Sequence, residues 1–475
     1  MKPAHPNGTI SCYKMLRFIQ SSILVVICVL AFSARAYSLV ASNQLVFLNV
    51  DHAAVGTCST FAYGVKGDKC GFGFSSASIP YSGGGGGVVI ALSSSSGIQA
   101  LPFVASTASI ASTATFFTDT NVQRMLTPCT DQWNVNNGGL TWTNYTPAWK
   151  MPSFDSATLA FKQYFFLPAT WMVFTIHNTN STAEDFYFGL PVVGTQTSYA
   201  SGAYQGFAVG EGVMAVQTGS CDLLSGAALT TALNGMSSGF AFHLNIPAGQ
   251  TKSLTVVLAD YRSTVTDSRI LAHYYYTSLF GSMDSVISAA FGEFANAQAR
   301  CHQLASAMAG ANLNAYRQFL ASDALHSYQA CTSAQLDPTN GFFWCEMEGG
   351  YNYVNTFDLT VDHAFYDSLM YPWALRNVLD TYSGVIGGSG YTYTHPLYNT
   401  VGNTVVSPNG FGFHHDMGQG LTSASPSTDP TTYESSYSYM GQEELQNYIL
   451  SAGLYWNRSS DNAWLTNNTC FCKPA

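Results

Sequence analysis

The sequence predicts an α+β protein with several domains, in which a β-sandwich precedes a helical region. Between residues 37 and about 280, short apolar or alternating runs recur between turn residues, a pattern typical of a sandwich. The pattern changes at Met283–Gly310, which is rich in Ala and has apolar residues at helical spacing. We therefore divide the chain into a leader (1–36), a β-sandwich domain (37–282), a linker helix (283–312) and a helical domain (313–475).

The first 36 residues have the pattern of a signal peptide. Lys14 and Arg17 precede the apolar run Ile23–Phe32, and Ala34-Arg35-Ala36 forms a small-residue cleavage site. This run is shorter than the roughly 20 residues that a membrane-spanning helix needs. We expect a secreted protein cleaved near Ala36, with a signal anchor as the alternative. No later run is long enough to cross a membrane.

The composition favours a neutral substrate. Only 9% of the 475 residues are charged, and 17 basic against 27 acidic residues give a net charge of −10. This balance argues against a nucleic-acid or anionic-membrane surface. A neutral oligosaccharide fits the composition, and no cofactor is predicted. The oligomeric state, including a homodimer, is left open.

The cysteines agree with an oxidising compartment. Nine of the 11 cysteines lie after the leader, and most of them are expected to pair. Cys58 and Cys70 are close enough in sequence for a hairpin bridge, and Cys331 and Cys345 flank the approach to an acidic stretch. Glycosylation sequons occur at Asn144, Asn180, Asn457 and Asn467.

The β-region is predicted from short apolar or alternating runs bounded by turn signals such as Asn-Gly and Pro-Ala-Gly. The predicted strands are Gln44–Val50, Gly87–Leu92, Leu159–Leu167, Trp171–His177, Glu184–Leu190, Gly239–Ile246 and Ser253–Ala259.

The second half of the chain is predicted to be all-α. Met283–Gly310 is expected to begin with Asp284 as a cap. Further amphipathic helices are predicted at Asn312–Ala330, Ala364–Tyr382 and Ser438–Trp456. In the last of these, Glu443 and Glu444 are expected on a solvated face.

The stretch Trp344–His363 is rich in acidic residues and has no Lys or Arg to balance them. It contains four carboxylates and four aromatic residues but no Lys or Arg. Neighbouring carboxylates raise one another's pKa, so that one can stay protonated while another ionises. Aromatic rings beside carboxylates suit a sugar, which has apolar C–H faces and a hydroxyl rim. The alternative is a buried helix start capped by acids. The residues concerned are Glu346, Glu348, Asp358, Asp362, Trp344, Tyr351, Tyr353 and Phe357.

A second polar cluster lies in the sequence FGFHHDMG, residues 411–418. Glycines and aromatic residues around His415 and Asp416 indicate a loop that approaches a ligand closely. These two side chains are suited to binding sugar hydroxyls or to tuning a carboxylate. A metal site is disfavoured because no third ligand with suitable spacing is evident. A loop fixed by its own hydrogen bonds is the other alternative.

These motifs resemble glycoside hydrolase family 52, the β-xylosidases. Residues 355–362 read NTFDLTVD, as in the family's acidic motif, and Phe413–Gly418 resembles its F-T-H-D-M-G. Met370–Asp380 is similar to the family's M-N-P-W-T-V-(K/R)-N-x-L-D. The matches run in order from about residue 45 to 465. A more distant resemblance is to the β-glucosidase and glucosylceramidase family of the same clan.

The resemblance implies a β-sandwich followed by a six-hairpin (α/α) barrel and retaining hydrolysis of β-xylosides by two carboxylates. It implies that Glu348 is the nucleophile. Asp358 and His415 would hold sugar hydroxyls, and Asp416 would support the loop. Within the acidic motif, Tyr351 and Asn355 are further candidates for substrate binding.

The sequence also departs from the family pattern. Gly350 and Asn352 replace a glutamate and an arginine of the acidic motif. The family's acid/base aspartate lies in a T-Y-D-S-L-D motif that this chain lacks, so an incomplete barrel is expected. A carbohydrate-binding protein with impaired catalysis, a structural surface protein and a β-glucosidase-like specificity are the alternatives. Glu346 is a candidate to take over the acid role.

Overall fold

The computed structural model describes short strands before residue 122 and much of the chain after it. The described residues are 37–40, 44–48, 89–94, 97–100, 115–116, 122–135, 139–190, 196–209, 212–233, 236, 239–263, 272–336, 341–346, 355–382, 415–416 and 441–468. The predicted leader, Cys58 and Cys70 lie outside them.

Nineteen strands form three sheets within these residues. The large sheet has the order β1-β2-β6-β7-β8-β9-β16-β13-β12-β11, the second sheet β14-β15-β10-β3-β4-β5, and the third β17-β18-β19. All pairs are antiparallel except β4 with β5. The strands are β1 Tyr37–Val40, β2 Gln44–Leu48, β3 Val89–Ser94, β4 Gly97–Ala100, β5 Thr115–Phe116, β6 Val122–Thr127, β7 Thr130–Val135, β8 Leu140–Tyr145, β9 Ala169–His177, β10 Glu184–Leu190, β11 Gln196–Ser201, β12 Tyr204–Val209, β13 Gly212–Gln217, β14 Asp222–Ser225, β15 Phe240–Ile246, β16 Thr251–Asp260, β17 His273–Tyr274, β18 Thr332–Leu336 and β19 Phe342–Glu346.

The two larger sheets pack face to face around an aromatic core. In β9, for example, the alternate residues Met172, Phe174 and Ile176 point inward, as the pleat requires. Trp142 of the large sheet stacks on Trp133 and Phe174, with ring centroids 5.9 and 5.8 Å apart. Phe174 in turn contacts Phe188 of the second sheet at 4.7 Å. We refer to this buried set as the sandwich core.

Eight α-helices complete the described structure. They are α1 Leu159–Phe165, α2 Gly226–Ala232, α3 Met283–Gly310, α4 Ala315–Cys331, α5 Phe357–Met370, α6 Pro372–Thr381, α7 Gly441–Ser459 and α8 Asn462–Asn468.

Helix α3 covers the outer face of the large sheet. Its buried stripe includes Val286, Ala290 and Ala297, which pack in one cluster with residues of β9, β13 and β16. Trp171 of β9 donates its indole N–H to the carbonyl of Ala290 at 2.9 Å. The helix predicted between residues 283 and 310 is therefore confirmed, and it is bound to the sheet along its length.

The helical region has a core of its own, which we call the helical core. It contains Trp344, Phe357, Tyr371 and Tyr382, and α5, α6 and α7 pack around it. The prediction that this half is all-α is wrong, because β18 and β19 pair there and extend the short strand β17. The acidic stretch therefore begins on a strand and ends on a helix.

Three other predictions require correction. Leu159–Leu167 is not a strand, because Thr158 accepts a hydrogen bond from the amide of Phe161 and starts α1. The predicted helix Ala364–Tyr382 is two helices, since Pro372 begins α6 after a break at Tyr371. Helix α3 is capped by Ser282, which forms a capping box with Ser285.

The covalent predictions are only partly tested. Cys129, Cys221, Cys301 and Cys345 are thiols rather than disulfide-bonded, so pairing of most cysteines is not supported in the described residues. The sequon at Asn144 is buried, and its side chain accepts a hydrogen bond from Trp142. The sequons at Asn180, Asn457 and Asn467 are exposed. In the part of the chain that the structure describes, no helix is long and apolar enough to span a membrane.

Candidate active site

Asn355 holds the two ends of the segment that contains Glu348. Its side-chain oxygen accepts from the amide of Glu346 at 2.6 Å, and its own amide donates to the Glu346 carbonyl at 2.6 Å. Its side-chain nitrogen donates to the carbonyl of Trp344 at 3.2 Å. The residue has φ 49°, in the left-handed region that Asn tolerates better than most residues. Asn355 therefore clamps the end of β19 to the start of α5.

His415 is fixed against the beginning of α5. Its carbonyl accepts from the amide of Phe357 at 2.9 Å, and the hydroxyl of Tyr382 contacts the carbonyls of both Asn355 and His415. His415 Nδ1 lies 2.8 Å from Asp416 Oδ2. Nε2 lies 3.8 Å from Asp358 Oδ1, and the Asp358 side chain is 39% exposed. One buried imidazole thus faces two carboxylates.

Burial and neighbouring charges have opposite effects on the pKa of His415. Burial alone lowers the pKa of its imidazole, but the hydrogen bond to Asp416 and the charges of Asp416 and Asp358 outweigh burial and raise the pKa above its ordinary value. The imidazole can donate a hydrogen bond from Nε2 to a sugar hydroxyl, and Asp358 can accept one from the same hydroxyl.

Glu444 completes this cluster from α7, which packs against α5. Its side chain is fully buried, so the prediction of a solvated face is wrong for Glu444, whereas Glu443 is exposed. Burial raises the pKa of Glu444 to about 8, and nearby Asp358 also raises it. One ligand atom from each of Asp358, His415 and Glu444 lies within 4.8 Å of the others. Glu444 is therefore the third residue of a type that can bind a metal ion in this cluster, and the sequence did not reveal it.

Two further acidic residues, Glu346 at the end of β19 and Asp367 of α5, are buried together. Both side chains are inaccessible to solvent. Thr360 donates to Glu346 Oε2 at 3.0 Å, and His363 Nδ1 lies 3.8 Å from the same oxygen. Tyr328 donates to Asp367 Oδ1 at 2.5 Å. We refer to Glu346 and Asp367 as the buried acid pair.

The two carboxyls of the pair have opposite pKa shifts. Burial and the negative charge of Glu346 raise the pKa of Asp367 well above its ordinary value. Burial also disfavours the charged form of Glu346, but His363 and hydrogen bonds from Asp367 and Thr360 outweigh burial and lower its pKa. These shifts favour the protonated form of Asp367 and the ionised form of Glu346. This arrangement does not favour Glu346 as a proton donor to substrate.

The structure brings together three of the predicted site residues, Asp358, His415 and Asp416. Asn355 lies beside them, with its side chain hydrogen-bonded to backbone groups of β19. Glu348 and Tyr351 lie outside the described residues.

Sequence reasoning missed two residues of the site, Glu444 and Asp367, although helical periodicity carries the signal. Glu444 shares a buried stripe with Tyr448, Ser451 and Tyr455 of α7, at the 4-, 7- and 11-residue spacing of a helix face. Asp367 likewise lies on a buried helix face, because it follows the buried Ala364 of α5 by three residues.

Comparison with known proteins identifies the family. The model of glycosyl hydrolase family 52 matches residues 61–455. The chain belongs to this family. Two β-xylosidases of Geobacillus stearothermophilus are similar to it, one 28% identical over 73% of this chain and 51% of its own length, the other 31% identical over 48% and 36%. The chain thus spans about half the length, or less, of the curated relatives it matches.

A search of solved structures found a putative kojibiose phosphorylase from the human microbiome. It is 9% identical, with a TM-score of 0.43, over 91% of this chain and 58% of the other.

Proposed function

We propose that this chain carries the nucleophile and part of the sugar-binding subsite of a secreted, retaining exo-β-xylosidase. The observation that carries the proposal is the convergence of β19, the start of α5 and His415 through hydrogen bonds to Asn355 and Phe357. Glu348 follows Glu346, the last residue of β19, by two positions in the sequence. The substrate would be a short β-1,4-linked xylo-oligosaccharide, and α4–α8 would belong to an (α/α) barrel.

In this proposal each residue has a distinct role. Glu348 attacks the anomeric carbon and forms a glycosyl-enzyme while a second carboxyl protonates the leaving oxygen. Asp358 accepts a hydrogen bond from a sugar hydroxyl, His415 donates one, and Asp416 holds the imidazole. The second carboxyl then activates the water that releases xylose.

The first test is hydrolysis of an aryl β-xyloside by the chain and its Glu348→Gln variant. An aryl leaving group needs little protonation, so the first step depends mainly on the nucleophile. We expect turnover by the chain and a loss of at least about 10³-fold in the variant. The exposed Glu443→Gln is the matched control and is expected to retain wild-type turnover. Equal turnover by the chain and Glu348→Gln would exclude Glu348 as the nucleophile.

A second substrate separates the roles of the two carboxyls. Xylobiose has a poor leaving group and requires a proton donor, which contributes roughly 10²–10⁴-fold. Cleavage of the aryl xyloside but not of xylobiose would indicate that no acid/base residue is engaged. Binding of xylobiose without turnover of either substrate would favour a carbohydrate-binding protein. An aryl β-glucoside that is cleaved faster than the xyloside would favour β-glucosidase-like specificity.

The proposal of export has its own test. Cleavage near Ala36 predicts that the secreted protein begins shortly after that residue. N-terminal sequencing of the protein from culture medium measures this directly. A chain that retains Met1 and stays with the cell membrane would instead indicate a signal anchor.

A further inference from the structure

We propose that Asp358, His415 and Glu444 bind a divalent transition-metal ion, with zinc as the best match. This inference goes beyond sugar binding by the same side chains. It requires no substrate and can be tested on the chain alone.

The three donor atoms have a spacing that one ion can bridge. They lie within 4.8 Å of one another, and His415 Nε2 is 3.8 Å from Asp358 Oδ1. Zinc binds His nitrogen and carboxylate oxygen at about 2.0–2.2 Å, which places neighbouring donors of a tetrahedral site roughly 3.5 Å apart. Small rotations of the carboxylates are enough to close the remaining distance.

His415 is already oriented as a metal ligand. Nδ1 is hydrogen-bonded to Asp416 at 2.8 Å, which leaves Nε2 directed toward Asp358. Ligating histidines commonly donate their other ring N–H to a carboxylate in this way, which fixes the tautomer and the ring orientation. The His415 backbone is held as well, through the amide of Phe357.

Glu444 supplies the observation that points to a missing cation. Its side chain is fully buried, Oε2 accepts from Asn447 at 3.2 Å, and Oε1 is buried with no hydrogen-bond donor. Among the residues that the structure describes, none of the ion pairs involves Glu444. A buried carboxylate oxygen without a donor is costly, and a cation between Glu444 and Asp358 would satisfy it.

The set of donors favours a particular class of metal. One imidazole and two carboxylates are typical of zinc and neighbouring transition metals, whereas Mg²⁺ and Ca²⁺ prefer oxygen ligands alone. Three protein ligands leave a fourth position for water. The partial exposure of Asp358 provides a path from solvent.

The test is titration of the purified, chelator-treated full chain with Zn²⁺ by calorimetry. We expect one site per chain, with affinity reduced at least about 10-fold by Glu444→Gln and by Asp358→Asn. Glu443→Gln, the exposed neighbour on the same helix, is expected to bind like the wild type. Circular dichroism of each variant checks that the fold is retained, and Asp358→Asn at a partly exposed position serves if Glu444→Gln fails to fold.

Cobalt identifies the ligands, because Co²⁺ bound to nitrogen and oxygen lacks the intense thiolate charge-transfer bands that cysteine ligands give. The proposal is overturned if no Zn²⁺ binds, if both variants bind as the wild type does, or if Co²⁺ shows thiolate bands.

Competition separates this inference from the proposed glycosidase. If the proposed function is also correct, xylose and Zn²⁺ compete for the same side chains. Zn²⁺ binding that depends on Glu444 but is unaffected by xylose supports the metal site and contradicts the proposed sugar contacts.

Discussion

The sandwich core and the helical core bury similar aromatic rings, but the buried carboxylates near them have different neighbours. Beside the sandwich, the buried carboxylate Asp260 lies 3.2 Å from the guanidinium of Arg262. In the helical core, the neighbour of the buried Asp367 is a second carboxyl, Glu346, and burial together with the charge of Glu346 raises the pKa of Asp367. A buried acid is thus matched by a cation beside the sandwich and by another acid in the helical core.

The greatest loss of stability is expected in the sandwich core. Trp142→Ala removes a fully buried ring that stacks on Trp133 and Phe174, so we expect a loss of about 3–5 kcal/mol in the free energy of unfolding. Urea denaturation measures it. A loss below about 1 kcal/mol would mean that the sheets re-pack around the cavity and that the sandwich core is less rigid than its ring stacking indicates.

A smaller change in the free energy of unfolding, which depends on pH, is expected for substitution in the buried acid pair. The pKa of Asp367 is higher in the folded chain than its ordinary value. The folded state therefore binds more protons, and stability falls as pH rises from about 4 through the folded pKa, by about 1.4 kcal/mol for each pH unit that separates the unfolded and folded pKa values. Asp367→Asn carries a permanent donor, so the part of the decline that Asp367 causes should disappear, while the part due to Glu444, whose pKa is also raised, should remain. The variant should be the more stable form at pH 8.

Urea midpoints at pH 5 and pH 8 measure this effect. Asp362→Asn, on an exposed face of the same helix, should decline with pH as the wild type does. The same slope in wild type and Asp367→Asn would contradict a raised pKa of Asp367.

Tyr328→Phe should lower the free energy of unfolding by about 1–3 kcal/mol, because it removes the hydroxyl that donates to Asp367.

The weakest effect is expected where charge is exposed. Arg376 lies 3.2 Å from Asp380 and 3.3 Å from Asp461, with its side chain 48% exposed. Solvent screens such pairs, so Arg376→Ala should lower the unfolding free energy by no more than about 1 kcal/mol. Surface charges are screened at about 1 M salt. If a larger loss persists at that salt concentration, Arg376 stabilises the chain through packing of its side chain rather than through its ion pairs.

The sequence predicts an element correctly where the local signals for its type and its ends agree with one another. Met283–Gly310 was predicted with its observed bounds, because its apolar spacing is uninterrupted and turn residues lie on either side. Leu159–Leu167 was misassigned since its apolar run is too short for periodicity to separate strand from helix. Asp358, His415 and Asp416 were identified from local motifs. Glu444 was not, because no local motif surrounds it, and its burial is indicated only by its helical spacing to Tyr448, Ser451 and Tyr455.

The clamp at Asn355 also bears on how a strand and a helix can be coupled. One side-chain amide holds the last turn of chain before α5 to two backbone groups of β19. A change at this single position is therefore transmitted to both elements at once, so Asn355 acts as a shared anchor for the strand end and the helix start.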